Sequence, residues 1–572
     1  MKLRVLAVDF DNTIAVNDHL DGDVAAALGE ARSNGVLRVL VTGRILSELL
    51  PLLPAPDLFD AIVAENGAVL QLPNGARPVA FSGAPDAILV AELGRRGIAH
   101  RCGTCIVETS AAASHEVLSI VQSLGLPQGI SFNRDRLMVL PHGVSKASGL
   151  KEAVWRLGAS PHNTVAIGDA ENDQPMLDAC EIGVAVGWGS NELKRCADEV
   201  IQGAGPPALA QYVRNLLAIR TIPPERIHHS SLRLGTRDNG ELFEGLIRGR
   251  NLLVAGDPRS GKSWLAGLLC EQLILKRYSL CILDPEGDYT ELDALPSVIV
   301  HRLNQETDPF PALERILRQP TLSLVIDMSA LPASAKPVVA GSLLERVNSL
   351  RRSVGLPHRV AVDEAHYFLG RPDDAQLFDR ELGGYLLVTY RITDLTADVL
   401  SASELVLVTR VSDRRLPNGL LALAPAISSS SDWAHTLANL AIGEAVLLPG
   451  SAEFGNVITR FRIDPRLTAH VRHRNKYVDV AVRSGLEFVF TQQGRATSDR
   501  ARTVGEFLAL LPHLSEEVFR GHLTRGDFHR WIEGVLGDRE LGAAIRDVER
   551  ANAANARESI ARAIRDRYLA VS

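Results

Sequence analysis

The sequence has little of what several protein classes require. Aromatic residues make up only 5% of its 572 residues, so few rings are present on which single-stranded nucleic acid could stack. Six cysteines in so long a chain do not predict a disulfide framework. No apolar run of about 18 residues predicts a membrane span, and no secretory leader pattern follows Met1. These absences predict a soluble, cytoplasmic protein with no membrane partner.

A strong excess of either charge is also missing. The chain has 61 Lys and Arg against 68 Asp and Glu, a formal net charge of −7. This balance excludes a surface that is basic throughout and could bind DNA or anionic lipid, but it does not exclude a local basic channel. The length predicts roughly four domains at about 150 residues each.

Short apolar strands alternate with helical stretches from the start of the chain. Strands are expected at 3–8, 36–41 and 61–64, a helix at 21–33, and a less regular inserted unit from about 73 to 141. The pattern returns with a strand at 164–167 and fades after a helix at 207–218. This alternation predicts a parallel α/β sheet with helices on both faces.

A second alternation begins after the aperiodic stretch at 220–239. Its predicted strands lie at 251–255, 280–283, 322–326, 360–362, 385–389 and 405–409. A basic cluster at 472–476 marks the next boundary, with a solvated linker as its ordinary interpretation. The remaining residues end in helices, including a stretch at 542–569 rich in charges and alanine.

The first chemical pattern is a pair of carboxylates directly after a strand. Asp9 and Asp11 follow the apolar strand at 3–8, so they lie at the edge of a parallel sheet where ligands bind. One carboxylate can attack phosphorus while the other protonates the leaving oxygen. A divalent cation such as Mg²⁺ is implied, because it would offset the charge of the acids. Taken alone, the pair could equally be a capped turn.

Three further elements favour the chemical interpretation. Thr42 follows the second strand and offers a hydroxyl group to a phosphate. Lys146 opens a helix and can hold phosphoryl charge, and Asp169 and Asp173 follow another apolar strand.

The order Asp9, Thr42, Lys146, Asp169 resembles the four motifs of the haloacid dehalogenase (HAD) superfamily of phosphatases. The resemblance covers about residues 1–215. It implies that Asp9 is a nucleophile forming an aspartyl-phosphate and that Asp11 is the general acid and base. Thr42 and Lys146 would bind the phosphoryl group. Mg²⁺ would be held by Asp9, the Asp11 carbonyl, Asp169 and Asp173, with Asn172 in support.

The long interval between Thr42 and Lys146 resembles the class IIB (Cof-type) branch, in which a small α/β cap selects the substrate. Relatives act on phospho-sugars, phosphoglycolate, nucleotides and other small phosphomonoesters. Many of them have Gly where Asn12 stands, but Asn tolerates similar turn conformations. Cys102 and Cys105 have the spacing of metal ligands, yet no second pair accompanies them, so packing residues are favoured over a zinc site.

The second chemical pattern is a phosphate-binding loop. Residues 256–263 (GDPRSGKS) fit the P-loop motif between a strand and a helix. Gly256 and Gly261 let backbone N–H groups surround the phosphates of ATP, Lys262 reaches the β/γ oxygens, and Ser263 binds Mg²⁺. A later strand ends in Asp363, expected in the Mg²⁺ shell, and Glu364, expected to polarise the attacking water.

Residues 284–289 (DPEGDY) together with 363–366 (DEAH) resemble the HerA/FtsK branch of P-loop ATPases, HerA above all. The resemblance spans about 240–475 and implies a hexameric ring, with double-stranded DNA as a partner of several members. Relatives often carry Thr-Gln as a polar sensor where this chain has Thr389-Tyr390. Arg391, Arg410 and Arg414 are arginine-finger candidates or ordinary surface charges.

The predicted fold class is α/β: a HAD Rossmann-like domain with an inserted α/β cap, then a RecA-like P-loop ATPase domain, then a small, mostly helical C-terminal domain. The predicted boundaries are 1–215 with a cap at about 73–141, a linker at 216–239, and domains at 240–476 and 477–572. The predicted function is an Mg²⁺-dependent phosphomonoesterase joined to a ring-forming, hexameric ATPase that acts on DNA ends or nucleotides. The alternatives are a small-metabolite phosphatase with a regulatory or scaffolding ATPase, and an assembly platform with slow hydrolysis.

Overall fold

The alternation of strands and helices predicts two parallel sheets, and the computed structural model contains both. It describes residues 1–572 except 74–75, 134, 220, 224–225, 227–230, 246–248, 305–307, 333, 371–376, 412–431, 449–457, 469–481, 483–484, 537 and 569–572. The chain divides into two compact units, Met1–Pro285 with Tyr289–Ala469 and Glu286–Asp288 with His470–Ser572. None of the described helices has both the length and the apolar character that a membrane crossing requires.

The first region contains a mixed sheet and a smaller antiparallel sheet. Its strands are β1 (Val5–Asp9), β2 (Ala15–Val16), β3 (His19–Leu20), β4 (Leu37–Val41), β5 (Ala61–Ala64), β6 (Val69–Gln71), β7 (Val79–Ala80), β8 (His100–Cys102), β9 (Val107–Ser110), β10 (Gln128–Asn133), β11 (Arg136–Pro141), β12 (Thr164–Gly168), β13 (Ile182–Val186) and β14 (Glu199–Ile201). Its helices are α1 (Gly22–Ser33), α2 (Leu46–Leu49), α3 (Ala87–Arg95), α4 (Ser114–Ser123), α5 (Lys146–Arg156), α6 (Gln174–Ala179), α7 (Asn191–Cys196) and α8 (Pro206–Ala218).

The larger sheet has the order β14-β13-β12-β1-β4-β5-β6-β7. All pairs from β14 to β5 are parallel, whereas β6 and β7 extend one edge in antiparallel pairing. The parallel strands are mostly apolar and buried, because helices cover both faces of the sheet. This arrangement brings the carboxyl ends of β1, β4 and β12 side by side.

The inserted cap is a four-stranded antiparallel sheet of order β10-β11-β9-β8, and its apolar cluster includes residues of α3 and α4. The predicted insertion begins earlier than the observed one. Residues 79–80 lie within the predicted cap, but they form β7 and pair with Val69 and Leu70 of the larger sheet.

The second region is built on one sheet of eleven strands. The strands are β15 (Leu232–Arg237), β16 (Leu242–Gly245), β17 (Leu252–Ala255), β18 (Leu280–Asp284), β19 (Val298–Arg302), β20 (Ser323–Asp327), β21 (Arg359–Val362), β22 (Tyr385–Thr389), β23 (Leu405–Val408), β24 (Glu444–Leu447) and β25 (Thr459–Ile463). The helices are α9 (Lys262–Leu275), α10 (Phe310–Leu317), α11 (Lys336–Val354), α12 (Ala397–Ser401) and α13 (Asp432–Ala438).

The strand order is β16-β15-β25-β24-β23-β17-β22-β21-β18-β20-β19. The seven strands from β23 to β19 are parallel, and the other four continue the sheet in antiparallel pairing. The structure differs from the predicted linker at 216–239. α8 runs to Ala218, and residues 232–237 form β15, which pairs with both β16 and β25.

The second compact unit contains a hairpin followed by helices. Its elements are β26 (Phe488–Gln492), β27 (Arg495–Ala501), α14 (Val504–Leu510), α15 (Glu516–Arg525), α16 (Asp527–Trp531), α17 (Arg539–Ala551) and α18 (Ala556–Tyr568). The helical stretch predicted at 542–569 is interrupted, because Asn552 has a left-handed backbone (φ 45°) and ends α17. The basic cluster at 472–476 lies outside the described residues.

The two large sheets meet at the amino ends of their parallel strands. His162 precedes β12, and its ring stacks on that of Tyr278, which precedes β18, with 3.7 Å between the ring centroids. His358 precedes β21 and meets His162 edge-on at 5.4 Å. The carboxyl ends of both sets of strands, where ligands of such sheets bind, therefore lie away from this junction.

A buried carboxylate connects the stacked rings. Glu181 is 2% exposed, and its Oε2 lies 3.0 Å from His162 Nδ1 and accepts a hydrogen bond from the Tyr278 hydroxyl at 2.8 Å. His162 Nε2 donates to the main-chain oxygen of Lys276 at 2.8 Å. The Asn163 amide donates to the main-chain oxygen of Gly355 at 3.3 Å. The junction is therefore a buried polar network in which ring stacking adds to hydrogen bonding.

We predict that His162→Ala lowers the free energy of unfolding by about 2–4 kcal/mol, because it removes the stacked ring and one partner of buried Glu181. Urea-induced unfolding followed by tryptophan fluorescence measures the change. His115→Ala is the matched control, because His115 is exposed on the cap, and we expect a change within about 0.5 kcal/mol. Equal effects of the two substitutions would contradict the importance of the junction.

Candidate active sites

Three polar residues follow three neighbouring strands of the first sheet. Asp9 ends β1, Thr42 follows β4, and Asp169 follows β12, while β1 lies between the other two strands. All three side chains are buried, with Asp9 3% exposed, Thr42 0% and Asp169 4%. The parallel topology therefore collects residues distant in sequence at one edge, as expected from the strand pattern.

Lys146 enters the same cluster from the first turn of α5. Ser145 caps this helix, and a reciprocal bond pair between Ser145 and Ser148 fixes where it begins. The Lys146 ammonium donates to Asp9 Oδ1 at 2.6 Å and to Asp173 Oδ1 at 2.5 Å. Burial by itself would lower the pKa of Lys146, but the two carboxylates raise it above its ordinary value. The lysine is therefore charged.

Asp173 links the lysine to the main chain of the neighbouring turn. Its Oδ2 accepts hydrogen bonds from the main-chain N–H groups of Asp169 at 2.9 Å and Ala170 at 3.1 Å. Gly168 is required beside it, since a Cβ atom at that position would lie 2.6 Å from the Asp173 side chain. The carboxylate is held on both oxygens.

Among the described residues, one cluster of Asp, Glu, His or Cys side chains could hold a metal ion. It consists of Asp9, Asp169 and Asp173, whose ligand atoms all lie within 4.8 Å of one another. Burial raises the pKa of Asp9 well above its ordinary value, and the two other carboxylates act in the same direction while Lys146 opposes them. One ammonium cannot offset three carboxylates. A hard divalent cation with oxygen ligands fits both the donors and the remaining charge.

Asp11 faces a different partner. The Arg44 guanidinium holds both carboxylate oxygens of Asp11, with Nε donating at 2.9 Å to Oδ2, and it also pairs with Asp18. The Arg44 guanidinium also lies 5.1 Å from the Phe10 ring centroid. The carboxylates of Asp11 and Asp18 raise the pKa of Arg44 above its ordinary value. Arg44 therefore orients the second predicted catalytic carboxylate, a contact that the sequence does not reveal.

The turn after Asp9 is also fixed by distant residues. Asn12 has a left-handed backbone (φ 61°), as the tolerance of Asn for such turns allows. Its amide donates to Asp169 Oδ2 at 3.3 Å, and the Trp188 indole donates to the Asn12 carbonyl at 2.7 Å. Asn172 directly precedes Asp173, and neither the nitrogen nor the oxygen of its buried amide has a hydrogen-bond partner among the described residues.

The cap contacts the loop that carries Thr42. A Cβ atom at Gly43 would lie 3.3 Å from Met138 Sδ of β11 and 3.7 Å from the amide of Asn133 in β10. On the core side, buried Glu65 accepts hydrogen bonds from the main-chain N–H groups of Thr104 at 2.9 Å and Cys105 at 2.8 Å. Glu65 therefore tethers the cap to the loop after β5.

The segment at 102–105 (CGTC) of the cap supplies the N–H groups that Glu65 binds. A Cβ atom at Gly103 would lie 2.7 Å from the Glu65 carboxylate. Cys105 is buried and Cys102 is exposed, and neither belongs to a potential metal group in the described part of the chain. Cys105 therefore packs beside the tether, whereas the Cys102 side chain is exposed to solvent.

The phosphate-binding loop lies between β17 and α9 in the second region. Gly256 (φ 149°) and Gly261 (φ 104°) are in the backbone region that favours glycine. Lys262 is 6% exposed, and its ammonium donates to the main-chain oxygen of Asp257 at 2.8 Å. The N–H group of Asp257 in turn donates to the Arg410 carbonyl at 2.8 Å, which joins the loop to the end of β23. Ser263 follows Lys262 in the first turn of α9.

The acids predicted to act with this loop follow β21. One strand, β22, separates β21 from β17, and Val362 pairs with Leu387 while Ala255 pairs with Thr389. Asp363 and Glu364, each 2% exposed, are therefore at the same sheet edge as the P-loop. Glu364 has a left-handed backbone (φ 47°, ψ 46°), a strained conformation for a residue with a side chain and one that is concentrated at functional sites.

The end of β22 supplies a second polar group at this edge. Thr389 Oγ1 accepts a hydrogen bond from the Arg391 N–H group at 2.9 Å and lies 3.0 Å from Nδ1 of His366. The Tyr390 ring meets the His366 ring edge-on at 4.7 Å, and the Lys262 ammonium lies 5.9 Å from the Tyr390 ring centroid. Tyr390 therefore packs against the His366 ring, and His366 contacts the threonine.

The arginine-finger candidates differ in their surroundings. Arg391 has a side chain that is 54% exposed and pairs with Asp394 at 3.6 Å. Arg410 binds the P-loop of its own chain through its carbonyl, and its buried Nε has no partner in the described part of the chain. Arg414 lies outside the described residues. Of the two described candidates, Arg391 is the one whose side chain is exposed.

Comparisons with protein families match two separate parts of the chain. Residues 105–212 match the family described as haloacid dehalogenase-like hydrolase, a range that includes Lys146, Asp169 and Asp173. Residues 250–332 match the family described as the central domain of helicase HerA, a range that includes the P-loop. Both resemblances predicted from the sequence are confirmed, and so is the predicted α/β fold class.

Curated relatives align with the first region. A phosphoglycolate phosphatase of Aeropyrum pernix is 27% identical over 227 residues, which are 38% of this chain and 94% of that protein. A phosphoglycolate phosphatase of Methanothermobacter thermautotrophicus is 27% identical over 228 residues, 38% of this chain and 99% of that protein. A solved haloacid dehalogenase-like hydrolase of B. subtilis covers 37% of this chain and 100% of its own, with 16% identity and a TM-score of 0.33.

The order of the motifs, the buried acid–lysine cluster and the family matches agree with one another. The chain is an enzyme in which a haloacid dehalogenase-type phosphatase domain is followed by a HerA-type P-loop ATPase domain.

Proposed function

We propose that the first domain is an Mg²⁺-dependent phosphomonoesterase that works through an aspartyl-phosphate. The observation that carries this proposal is the buried cluster in which Lys146 lies 2.6 Å from Asp9 and 2.5 Å from Asp173, with Asp169 beside them. A single ammonium among three carboxylates suits a site that also takes a divalent cation and a phosphate. Asp9, Asp169 and Asp173, with the Asp11 carbonyl, would hold the Mg²⁺, which supplies charge to offset the phosphate.

The residues divide the reaction into two halves. Asp9 attacks phosphorus, the bond from phosphorus to the leaving oxygen breaks, and Asp11 gives that oxygen its proton. Water then attacks phosphorus of the aspartyl-phosphate, Asp11 takes the proton from the water, and inorganic phosphate leaves. Lys146 and Thr42 hold the phosphoryl oxygens throughout. Arg44, which holds both oxygens of Asp11, keeps this carboxyl at the side of the site where the leaving group departs.

We infer that the substrate is a small phosphomonoester related to phosphoglycolate. Two observations support this choice over DNA ends. Two of the relatives that align over nearly their whole length are phosphoglycolate phosphatases, and Met138 and Asn133 of the cap lie over Gly43 beside Thr42. A cap this near to the phosphoryl site favours a short leaving group over the end of a duplex.

The second domain is proposed to hydrolyse ATP. Lys262 would bind the β- and γ-phosphates, Gly256 and Gly261 would let the loop surround them, and Ser263 and Asp363 would hold the Mg²⁺ of the nucleotide. Glu364 would polarise the attacking water. The observation that supports these roles is the strand order, which places the P-loop and both acids at one sheet edge with β22 between them.

A ring is proposed for the ATPase, because such a site is completed by an arginine of a neighbouring subunit. Arg391 suits this role, since its side chain is 54% exposed at the edge that carries the P-loop. A closed hexamer with head-to-tail contacts would repeat each exposed cation six times. Duplex DNA could then bind although the chain has a net charge of −7.

We predict that the two activities can be separated by single substitutions. Asp9→Asn should reduce phosphatase turnover by roughly three orders of magnitude or more, because the amide is a poor nucleophile. ATP turnover should persist, since the sheets touch at their amino ends and both sites lie at carboxyl ends. Lys262→Ala should have the opposite effect.

Phosphatase turnover is measured with phosphoglycolate, a sugar phosphate and DNA bearing 3′- or 5′-phosphates. Asp57→Asn is the control, because that side chain is 77% exposed. Wild-type phosphatase turnover in purified Asp9→Asn protein would contradict the assignment of the nucleophile. Preference for DNA phosphates over phosphoglycolate would contradict the proposed substrate class.

We predict that chelation of divalent cations abolishes phosphatase turnover and that Mg²⁺ restores it, whereas Ca²⁺ supports it poorly. Three carboxylates within 4.8 Å of one another suit a small octahedral ion. Such an ion orients the phosphate for in-line attack on phosphorus better than the larger, more flexible Ca²⁺ does. The measurement is phosphate release from phosphoglycolate by dialysed enzyme with each cation. Equal rates with Mg²⁺, Ca²⁺ and chelator would rule out the metal site.

We predict that the chain with Mg²⁺ and an ATP analogue forms a particle of about six times the chain mass of 61.9 kDa. Multi-angle light scattering measures the mass, and Arg391→Ala should reduce ATP turnover without dissociating the particle. A monomer in every nucleotide state would contradict the ring. If duplex DNA raises ATP turnover and added salt steeply weakens this effect, a motor would be favoured. A hexamer whose ATP turnover does not change with DNA would favour regulation or scaffolding.

A further inference from the structure

His366 is a buried side chain for which the roles proposed above leave no function. It lies in the short turn Ala365–Tyr367 directly after Glu364, at the sheet edge that carries the P-loop. Its side chain is 2% exposed. A buried imidazole normally has partners for both of its nitrogen atoms, so the surroundings of each nitrogen define what the residue can do.

The partner of Nδ1 is the Thr389 hydroxyl at 3.0 Å. The hydroxyl oxygen already accepts a hydrogen bond from the Arg391 N–H group at 2.9 Å, and we assign its own proton to a hydrogen bond donated to His366 Nδ1. Burial lowers the pKa of His366 to about 4, and the neutral ring carries one proton. With Nδ1 as an acceptor, this proton is on Nε2.

Nε2 is buried and has no hydrogen-bond partner among the described residues. Leaving a buried N–H group without an acceptor destabilises a folded protein, and such an exception requires a specific explanation, of which a catalytic role is one. Nε2 therefore needs an acceptor from outside the described chain.

The surroundings of the ring indicate what that acceptor is. Glu364 Oε2 lies 3.7 Å from His366 Nδ1, and the Tyr390 and Tyr367 rings meet the imidazole at 4.7 and 4.3 Å. The charged groups that act on the ring are Glu364, Arg391, Asp394 and Lys262. The imidazole thus lies beside the acid proposed to polarise water and within the electrostatic reach of the P-loop lysine.

We propose that His366 Nε2 donates a hydrogen bond to a γ-phosphate oxygen of bound ATP, and that Thr389 and His366 together form the polar sensor of this ATPase. The inference rests on the proposed ATP hydrolysis by the second domain. Thr389 fixes the tautomer, and Tyr390 packs against the ring and fixes its orientation.

The experiment compares three substitutions of His366 in the full-length chain. His366→Asn retains an amide that can reach Thr389 but has no group at the position of Nε2. His366→Gln carries its amide farther out, at about the distance of Nε2. His366→Ala has neither group, and His435→Asn, an exposed histidine of the same domain, is the control. ATP turnover is measured for each, with calorimetric Kd values for ADP and for the non-hydrolysable analogue AMP-PNP in the presence of Mg²⁺.

We expect His366→Asn and His366→Ala to lower kcat for ATP by about 10- to 100-fold. The affinity for AMP-PNP should fall about 10-fold while the affinity for ADP, which lacks the γ-phosphate, stays within about 2-fold. His366→Gln should recover part of both losses, because its amide can donate to the same phosphate oxygen. His435→Asn should match the wild type.

Wild-type turnover and wild-type AMP-PNP affinity in His366→Asn would overturn the proposal, because the contact with Thr389 would then be sufficient. An equal loss of affinity for ADP and AMP-PNP would also overturn it, since the residue would act on the fold of the site. A wild-type chain that binds AMP-PNP but does not turn over ATP would contradict the proposed hydrolysis. In that case a selective loss of AMP-PNP affinity in His366→Asn would still support the contact.

Discussion

The stack of His162 on Tyr278, fastened by buried Glu181, is the contact on which the arrangement of the two catalytic domains depends. It joins the amino ends of two sets of parallel strands, and ligands of such sheets bind at carboxyl ends. The phosphatase and ATPase sites therefore lie on edges away from the junction. The contact itself includes none of the residues proposed for either site.

Electrostatic balance governs the phosphatase site. Asp9, Asp169 and Asp173 are all buried beside a single lysine, and burial of like charges is costly unless cations offset them. Burial and the neighbouring carboxylates raise the pKa of Asp9, and the excess of negative charge suits the site to a divalent cation. Arg44 pairs separately with Asp11, so the charge of the Asp9 cluster and the charge of Asp11 are offset by different residues.

The ATPase site depends on a conformation that its own sequence does not favour. Glu364 has a left-handed backbone, and the strands on both sides of β21 must hold it there. His366 follows within the same turn and reaches Thr389 at the end of β22. Two neighbouring strands are thus connected across their carboxyl ends, where the nucleotide would bind.

Much of this molecule can be predicted from the sequence because the information is local. An apolar strand followed at once by Asp9, by Asp169 or by the P-loop predicts both the element and its edge, and the motif order predicts both families. The structure differs from the expected linker, cap start and helical stretch at 542–569, because pairing with a distant strand or a single backbone conformation decides them. Arg44 with Asp11, Glu65 with the cap, His366 with Thr389 and His162 with Tyr278 were decided by tertiary structure alone. Each pair joins residues far apart in the chain, and no periodicity or spacing encodes a contact that depends on how whole sheets are stacked and twisted.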